Sequence, residues 1–420
     1  MSLLHILLLF PLLVGMSKLI RRSFTSTGDS FSQIAGPASE HWIKGNYHRI
    51  FQDGFDYNLR LAHVYGGVAK IHAMFGGQQL YVSDPRALHH MLIKEPHVFE
   101  ETDMFIMGNG LIFGEGLIST TGDQHRKQRR MVKPAFSTAN LRALAPKLQR
   151  VAHQLCAILR SQLDQSPDAQ EIDILPWINR CAFEYVSTAC LGRTFNALTP
   201  NESNEYVEAV RNLAPQTLRL LFLRPLIPSV VRHFSPSLRC KLSEWLPMEA
   251  FQNVKRLVDI MHRCSLRISA EKRSMLSEIR DGAEGSDIMS ILLRTNEASV
   301  QADQLSDAEL VAQMNTFIFG GLETTTSTIC RILHILAIED HVQSRLRNEI
   351  RQAKMDYASE PRGKAESCPA IDLPYDVLMN LPYLDAVVKE TLRVYPPTSL
   401  LSRTARQASA LPLAKPVQSA

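Results

Sequence analysis

The sequence predicts a mainly α-helical protein with a minor β part near its N-terminus. Three observations carry that expectation. From about residue 138 to residue 350 nearly every segment has the apolar spacing of a helix, and strand signals are scarce. Strand-like runs lie instead in "VAKIHAMFGGQQLYVSD", Val68 to Asp84, where two short stretches flank Gly76-Gly77 and predict a β-hairpin. The chain shows no βαβ alternation and no glycine-rich phosphate loop, which disfavours a nucleotide-binding fold.

The 420 residues are 45% hydrophobic and 21% charged, an ordinary globular balance with length enough for a large core. A net charge of +4 is small for this size, and no dense basic face with interleaved aromatics marks a nucleic-acid binder. The seven cysteines are odd in number and scattered, without a CxxC pair. That argues against a disulfide framework or a zinc site and for a reducing compartment.

Taken in order, residues 1–22, "MSLLHILLLFPLLVGMSKLIRR", are apolar from Leu3 to Met16 except for His5 and end in Arg21-Arg22. The run is slightly shorter than the roughly 20 apolar residues of a full span. With the arginines on the cytoplasmic side it reads as an N-terminal membrane anchor. A cleaved secretory signal is the alternative, disfavoured because no clear small-x-small site follows. Residues 23–45 are rich in Ser, Thr and Gly, contain Gly36-Pro37, and read as a linker to a body spanning 46–420. Asp84 is a candidate N-cap with Pro85 at the first helical position. Residues 354–372 are polar and predict a surface loop. A helix in "LPYLDAVVKETLRVYPP" ends at Pro396-Pro397, and the chain beyond is irregular.

"FIFGGLETTTST", Phe317 to Thr328, interrupts the strongest helix of the chain with residues that weaken it. The helix opens at Ser306-Asp307-Ala308-Glu309, a capping box. Apolar positions at Val311, Met314, Ile318 and Leu322 then carry it to about Ala337, roughly 45 Å at 1.5 Å per residue. Gly320 and Gly321 each cost about 1 kcal/mol against alanine. They let a flat or bulky group approach the backbone. Glu323 and Thr324 add an acid and a hydroxyl, and threonines that bond back one turn bend helices. The result reads as a kinked polar notch suited to proton delivery. A plain helix crossing, with small residues for close packing, fits the pattern equally.

Two further constellations carry charge. "GDQHRKQRR" places His125 and Arg129 four apart on one helical face, as a carboxylate or phosphate site or as a solvated basic face. "KETLR" places Glu390 and Arg393 three apart, as an ordinary surface pair or, given apolar Leu384, Val387, Val388 and Leu392, as a partly buried one.

Together, in this order and spacing, these motifs resemble cytochrome P-450, a haem-thiolate monooxygenase of the membrane-bound eukaryotic type. The resemblance runs from near Val68 to about Lys415. Gly320-Gly321-Leu322-Glu323-Thr324 resembles the family's oxygen-activating helix, Glu390 and Arg393 its Glu-x-x-Arg helix, and "LSRTARQ" the strand that follows. "GDQHRKQRRMVKPAFS" is similar to the helix facing the haem propionates, with His125 where the family often has Trp. The resemblance implies haem as cofactor, room for porphyrin and dioxygen at Gly320 and Gly321, proton relay by Glu323 and Thr324, and propionates held by His125 and Arg129. Glu390 and Arg393 take a structural role in it. It further implies a lipophilic substrate, an NADPH-dependent flavoprotein reductase met by basic residues such as Lys127 and Arg130, and an endoplasmic reticulum membrane with the catalytic part cytoplasmic. "LRLLFLRPLIPSVVRHF", Leu218 to Phe234, would border the substrate entrance at the bilayer, or form a buried connector.

One part of the family pattern is missing. The axial cysteine sits in a glycine- and arginine-bearing loop after the Glu-x-x-Arg helix, where a thiolate tunes the iron. Here the last cysteine is Cys368, before that helix. The expectation is a monooxygenase fold truncated before its haem-ligand loop and inactive as it stands. The alternative is a haem-free, membrane-anchored helical remnant with a binding or scaffold role.

Overall fold

The computed structural model describes residues 31–164, 171–199, 204–278, 286–359 and 372–419. The predicted anchor at 1–22, the first part of the linker, and Cys368 lie outside these residues. Among the described residues no helix is long and apolar enough to cross a membrane.

The main elements, in chain order, are α1 (Tyr47–Gln52), α2 (Gly54–Tyr65), β1 (Val68–His72), β2 (Gln78–Val82), α3 (Pro85–His89), β3 (Phe99–Glu101), α4 (Asp103–Phe113), α5 (Gly122–Val132), α6 (Thr138–Asp164), α7 (Ile174–Leu191), α8 (Glu205–Leu218), α9 (Ile227–His233), α10 (Pro236–Trp245), α11 (Glu249–Glu278), α12 (Ile288–Ala298), α13 (Asp307–Ile338), α14 (Asp340–Ser359), α15 (Tyr375–Met379), α16 (Pro382–Val394) and β4 (Arg403–Ala405). The mainly α expectation holds. The described residues group into two compact units.

One unit takes the described residues up to Gly108, Leu220–Pro247 and those from Leu401 onward. It contains the hairpin predicted around Gly76-Gly77, with β1 and β2 antiparallel and Val68 opposite Val82. Asp84 caps α3 as its position foretold, accepting from the amides of Arg86 at 2.9 Å and Ala87 at 3.0 Å. Its second oxygen takes the amide of Ala414 at 2.9 Å, which ties the C-terminal stretch to the hairpin. That stretch is more ordered than "irregular" implied. β4 pairs antiparallel with β3, and Arg406 bonds Asp103 at 2.8 Å and Glu100 at 3.3 Å. The proline-broken segment from Leu218 folds as a 3-10 turn, Leu221–Leu226, followed by α9.

The second unit, Asn109–Arg219 and Met248–Leu400, is the helical body. Its centre is α13. The predicted capping box is present: Ser306 accepts from the Glu309 amide, and Glu309 accepts from the Ser306 amide at 2.8 Å. Met314, Ile318 and Leu322 are completely buried, each side chain contributing about 2 kcal/mol on burial. Phe183 of α7, Val210 of α8 and Leu292 of α12 close the same core. α14 extends to Ser359, so the first residues of the predicted 354–372 loop are helical, and 360–371 lie outside the described residues. α16 stops at Val394, just ahead of the proline pair. Its N-terminus has no cap from its own sequence; the Glu349 carboxylate of α14 accepts the amides of Tyr383 at 2.8 Å and Leu384 at 2.9 Å instead.

Candidate active site

α13 runs through the glycines and threonines as one continuous α-helix. The threonines do bond back one turn. Thr324 Oγ1 donates to the Gly320 carbonyl at 2.8 Å, Thr326 to Leu322 at 2.9 Å and Thr328 to Thr324 at 2.8 Å.

The two glycines serve different ends. A Cβ added at Gly321 would lie 2.7 Å from Val186 Cγ2, so this glycine lets α7 close on α13. A Cβ added at Gly320 meets nothing within 4 Å. The two glycines therefore differ, one residue apart: close packing at Gly321, open space at Gly320 and Thr324. Both of the latter are exposed on a helix whose opposite side is core.

Glu323, beside Thr324 in sequence, is half-buried. Burial pushes its carboxyl above the ordinary glutamate range, against the opposing pull of Arg211 and a hydrogen bond from Asn179. Glu323 therefore keeps its proton to higher pH than a free glutamate, and the next residue in the chain carries a hydroxyl.

α5 presents His125 half-buried and Arg129 exposed. The Arg129 guanidinium makes no hydrogen bond or ion pair among the described residues, so its donors are open to an anion. Lys127, expected on a basic partner surface, turns inward and donates to the carbonyls of Gln304 at 2.8 Å and Ala302 at 3.3 Å. Arg130 is exposed and pairs with Asp303 at 3.2 Å.

What fixes α5 on α13 is a residue the motif reading passed over. Gln128 is completely buried. Its amide donates to Glu309 at 3.0 Å and to the Glu115 carbonyl at 2.9 Å, and its oxygen accepts from Gln313 at 2.9 Å and Thr120 at 3.2 Å. Gln124 adds a further bond to Glu309. The signal was available: Gln124, Gln128 and Met131 are the uncharged residues at inward spacing in an otherwise basic helix.

Glu390 and Arg393 form a bidentate pair, Nε to Oε2 and Nη2 to Oε1 both at 2.7 Å. The partial burial expected from the apolar neighbours is not found; the side chains are 63% and 70% exposed. α16 buries the other face, through Val387 and Thr391. An open groove of about 580 Å³ between α14 and α16, lined by Arg345, Glu349 and Tyr383 among others, contains none of the predicted site residues.

The six described cysteines do not offer a thiolate to the Gly320 face. Burial pushes Cys181 to about 11 and Cys190 to about 12, and raises Cys264 and Cys330. Cys330 shares α13 but packs into a separate cluster with Val151, Ile178 and Cys181. Cys156 and Cys240 are exposed on α6 and α10. Among the described residues no group of three His, Cys, Asp or Glu side chains is placed to hold a metal ion.

A helical body crossed by one long helix that bears an open Gly-x-x-x-Thr face defines a class, and the comparisons agree on it. The family model for cytochrome P450 matches residues 35–412, and the chain belongs to that family. Cytochrome P450 monooxygenase 81 of Postia placenta is 38% identical over 93% of this chain and 70% of its own length. Cytochrome P450 monooxygenase 91 of the same fungus is 33% identical over 98% of this chain and 75% of its own. The solved structure of a retinoic acid-bound cyanobacterial CYP120A1 superposes with a TM-score of 0.63 at 22% identity, covering 89% of this chain and 72% of that one, which speaks for the fold. By family the protein is a haem-thiolate monooxygenase, an oxidoreductase.

Proposed function

We propose that these residues form the catalytic body of a membrane-bound monooxygenase that inserts one oxygen atom of dioxygen into a lipophilic organic substrate. Electrons come from NADPH through a flavoprotein reductase, and the body sits on the cytoplasmic side of the endoplasmic reticulum membrane. The observation that carries the reading is the open Gly320–Thr324 face beside a half-buried acid, across α13 from the buried Ile318 and Leu322.

Haem, when bound, supplies the redox chemistry of dioxygen. The chain's own residues do the rest. Gly320 leaves space against the backbone for a flat group. Glu323, whose carboxyl burial pushes above the ordinary glutamate range, donates a proton, and the Thr324 hydroxyl, already oriented by the Gly320 carbonyl, passes it on. Arg129, with His125 on the same helix, supplies the cationic donors that suit a pair of propionate carboxylates. Glu390 and Arg393 keep a structural role.

The face and rim of haem thus fit the residues present, while its thiolate ligand does not: no described cysteine of the helical body lies on this face, and burial raises the thiols of Cys181, Cys190, Cys264 and Cys330. We therefore propose that the 420 residues alone neither form the thiolate-ligated centre nor hydroxylate a substrate. The same observation favours a second reading, a haem-free membrane-anchored protein with a binding or scaffold role.

The test is spectroscopic. The 420-residue chain is supplied with haem, reduced and exposed to carbon monoxide; no thiolate-type band is expected, and a clear band overturns the inactivity. Fusing these residues to the remaining portion of the 38%-identical relative is expected to restore the band. In that fusion Glu323→Gln is expected to slow oxygenation by about 10²-fold or more. A fusion that still takes up no haem overturns the monooxygenase reading in favour of the second.

A further inference from the structure

α9 and α10 form an arm without a core of its own. Neither Ile227–His233 nor Pro236–Trp245 contains a buried residue. Two contacts tie the arm to the start of α4. A Cβ added at Gly108 would lie 3.5 Å from Ile227 Cδ1, so Ile227 packs against that glycine. Further along α9, Arg232 pairs with Asp103 through Nη2 and Oδ2. The matched spacing, 227 to 232 against 108 to 103, lays α9 antiparallel along the first turns of α4. Among the described residues no other side chain of 227–245 forms an ion pair. Asp103 meets a second cation, because its Oδ1 lies 2.8 Å from Arg406 Nη2. Arg406 is also held without Asp103. Its Nε donates to Glu100 Oε2 at 3.3 Å, its Nη2 to the Glu101 carbonyl at 3.0 Å, and its amide to the Val98 carbonyl at 2.8 Å. One carboxylate thus joins a firmly held strand end to a lightly held arm.

We propose that Asp103 is the catch of an ionic latch: Arg232 is the bolt that closes the α9–α10 arm onto α4, and Arg406 is the strut that steadies the shared carboxylate. The two cations are not equivalent. The Arg232 side chain is 53% exposed, against 35% for Arg406. The more exposed pair is the one that salt screens most. Arg232 has no second acid, whereas Arg406 keeps Glu100 and the Glu101 carbonyl when Asp103 lets go. The arm therefore releases while β4 stays on β3. A surface ion pair ordinarily contributes little. Here it decides the position of the arm, because 227–245 bury no side chain that would hold it otherwise.

The experiment is amide hydrogen exchange, read by mass spectrometry on the full 420-residue chain. So short a helix is not stable alone, so exchange of the last α9 amides, Phe234 among them, reports docking of the arm. Arg232→Gln is expected to speed exchange in α9 by about threefold to fivefold and to leave residues 403–406 unchanged. Asp103→Asn should speed α9 as much and 403–406 less, because Arg406 keeps its other acceptors. Combining the two substitutions should add nothing further in α9, since each removes the same pair. The swap of Asp103→Arg with Arg232→Asp should restore protection in α9 while it sets two guanidinia against each other at Arg406 and speeds exchange at 403–406. A general loosening cannot produce that opposite pair of effects. Raising the salt from about 0.05 to 0.5 M should speed α9 in the parent chain and not in Arg232→Gln. The salt series on the parent needs no substitution, and so decides the matter even where a variant fails to fold. An α9 rate unmoved by salt or by Arg232→Gln, additive effects in the double variant, or a swap that leaves α9 unprotected overturns the latch.

Discussion

The adjacent glycines of α13 allow a sharp test, because the same substitution should act with opposite sign at two neighbouring positions. Alanine in a helix interior is favoured over glycine by about 1 kcal/mol. At residue 320 the new methyl meets nothing within 4 Å, so Gly320→Ala is expected to stabilise the protein by about that amount. At residue 321 the methyl lies 2.7 Å from Val186 Cγ2 and 3.2 Å from Cγ1. Valine is stiff about χ1 and cannot swing its branch away freely. Overpacking of this kind costs about 1–3 kcal/mol, so Gly321→Ala should be destabilising by up to about 2 kcal/mol after the propensity gain. The two variants should therefore differ by roughly 1–3 kcal/mol. Urea unfolding followed by far-ultraviolet circular dichroism, on chains free of haem, reads the difference directly. Val186→Ala introduced with Gly321→Ala should recover part of the loss. If Gly321→Ala equals or exceeds Gly320→Ala in stability, the close approach of α7 and α13 at this point is wrong, and the division of labour between the glycines fails with it.

Other consequences follow from the buried contacts. Gln128→Leu strands Glu309, Gln313, Thr120 and the Glu115 carbonyl, and is expected to cost about 2–3 kcal/mol by the same unfolding assay, where a surface amide would cost nothing measurable. Burial pushes the Glu309 carboxyl up. Bonds from the Ser306 amide, Gln128 and the Ser306 hydroxyl, with the Lys127 charge, outweigh that and hold it below the ordinary glutamate range. Its contribution is therefore complete above the unfolded-state value and lost as pH falls through the lower folded one; Glu309→Gln should flatten the acid limb of the stability–pH curve. Because Glu390 and Arg393 are solvent-exposed, replacing both by alanine should leave the urea midpoint of the 420-residue chain unchanged within error. Asp84→Ala should release the C-terminal stretch along with the α3 cap, seen as faster amide exchange at Ala414 as well as at Ala87.

Much of the architecture was legible because it is local. The capping box at Ser306 and Glu309, the cap at Asp84 with Pro85 beside it, and the hairpin about Gly76-Gly77 depend on residues within a few positions of one another. Helix period likewise announces α13 before any contact is known. The family could be recognised for a related reason: three motifs recur in a set order, and order survives in one dimension.

What the residue string left undecided is everything that needs a second element. Gly320 and Gly321 are the same letter, and only the arrival of α7 at Val186 assigns one to packing and the other to the open face. Gln128 looks like one more polar residue in a basic run until α13 brings Glu309 and Gln313 to it. Glu390 and Arg393 were placed on one helical face correctly, yet only the packing of α16 through Val387 and Thr391 shows that the pair lies on the exposed side. Asn179 and Arg211 carry no motif at all, and bond each other at 2.6 Å only because α7 and α8 converge. Local period and capping chemistry are written in sequence neighbours, whereas burial and steric clearance arise between pairs such as Gln128 with Glu309 and Val186 with Gly321, which only the packing of helices brings together.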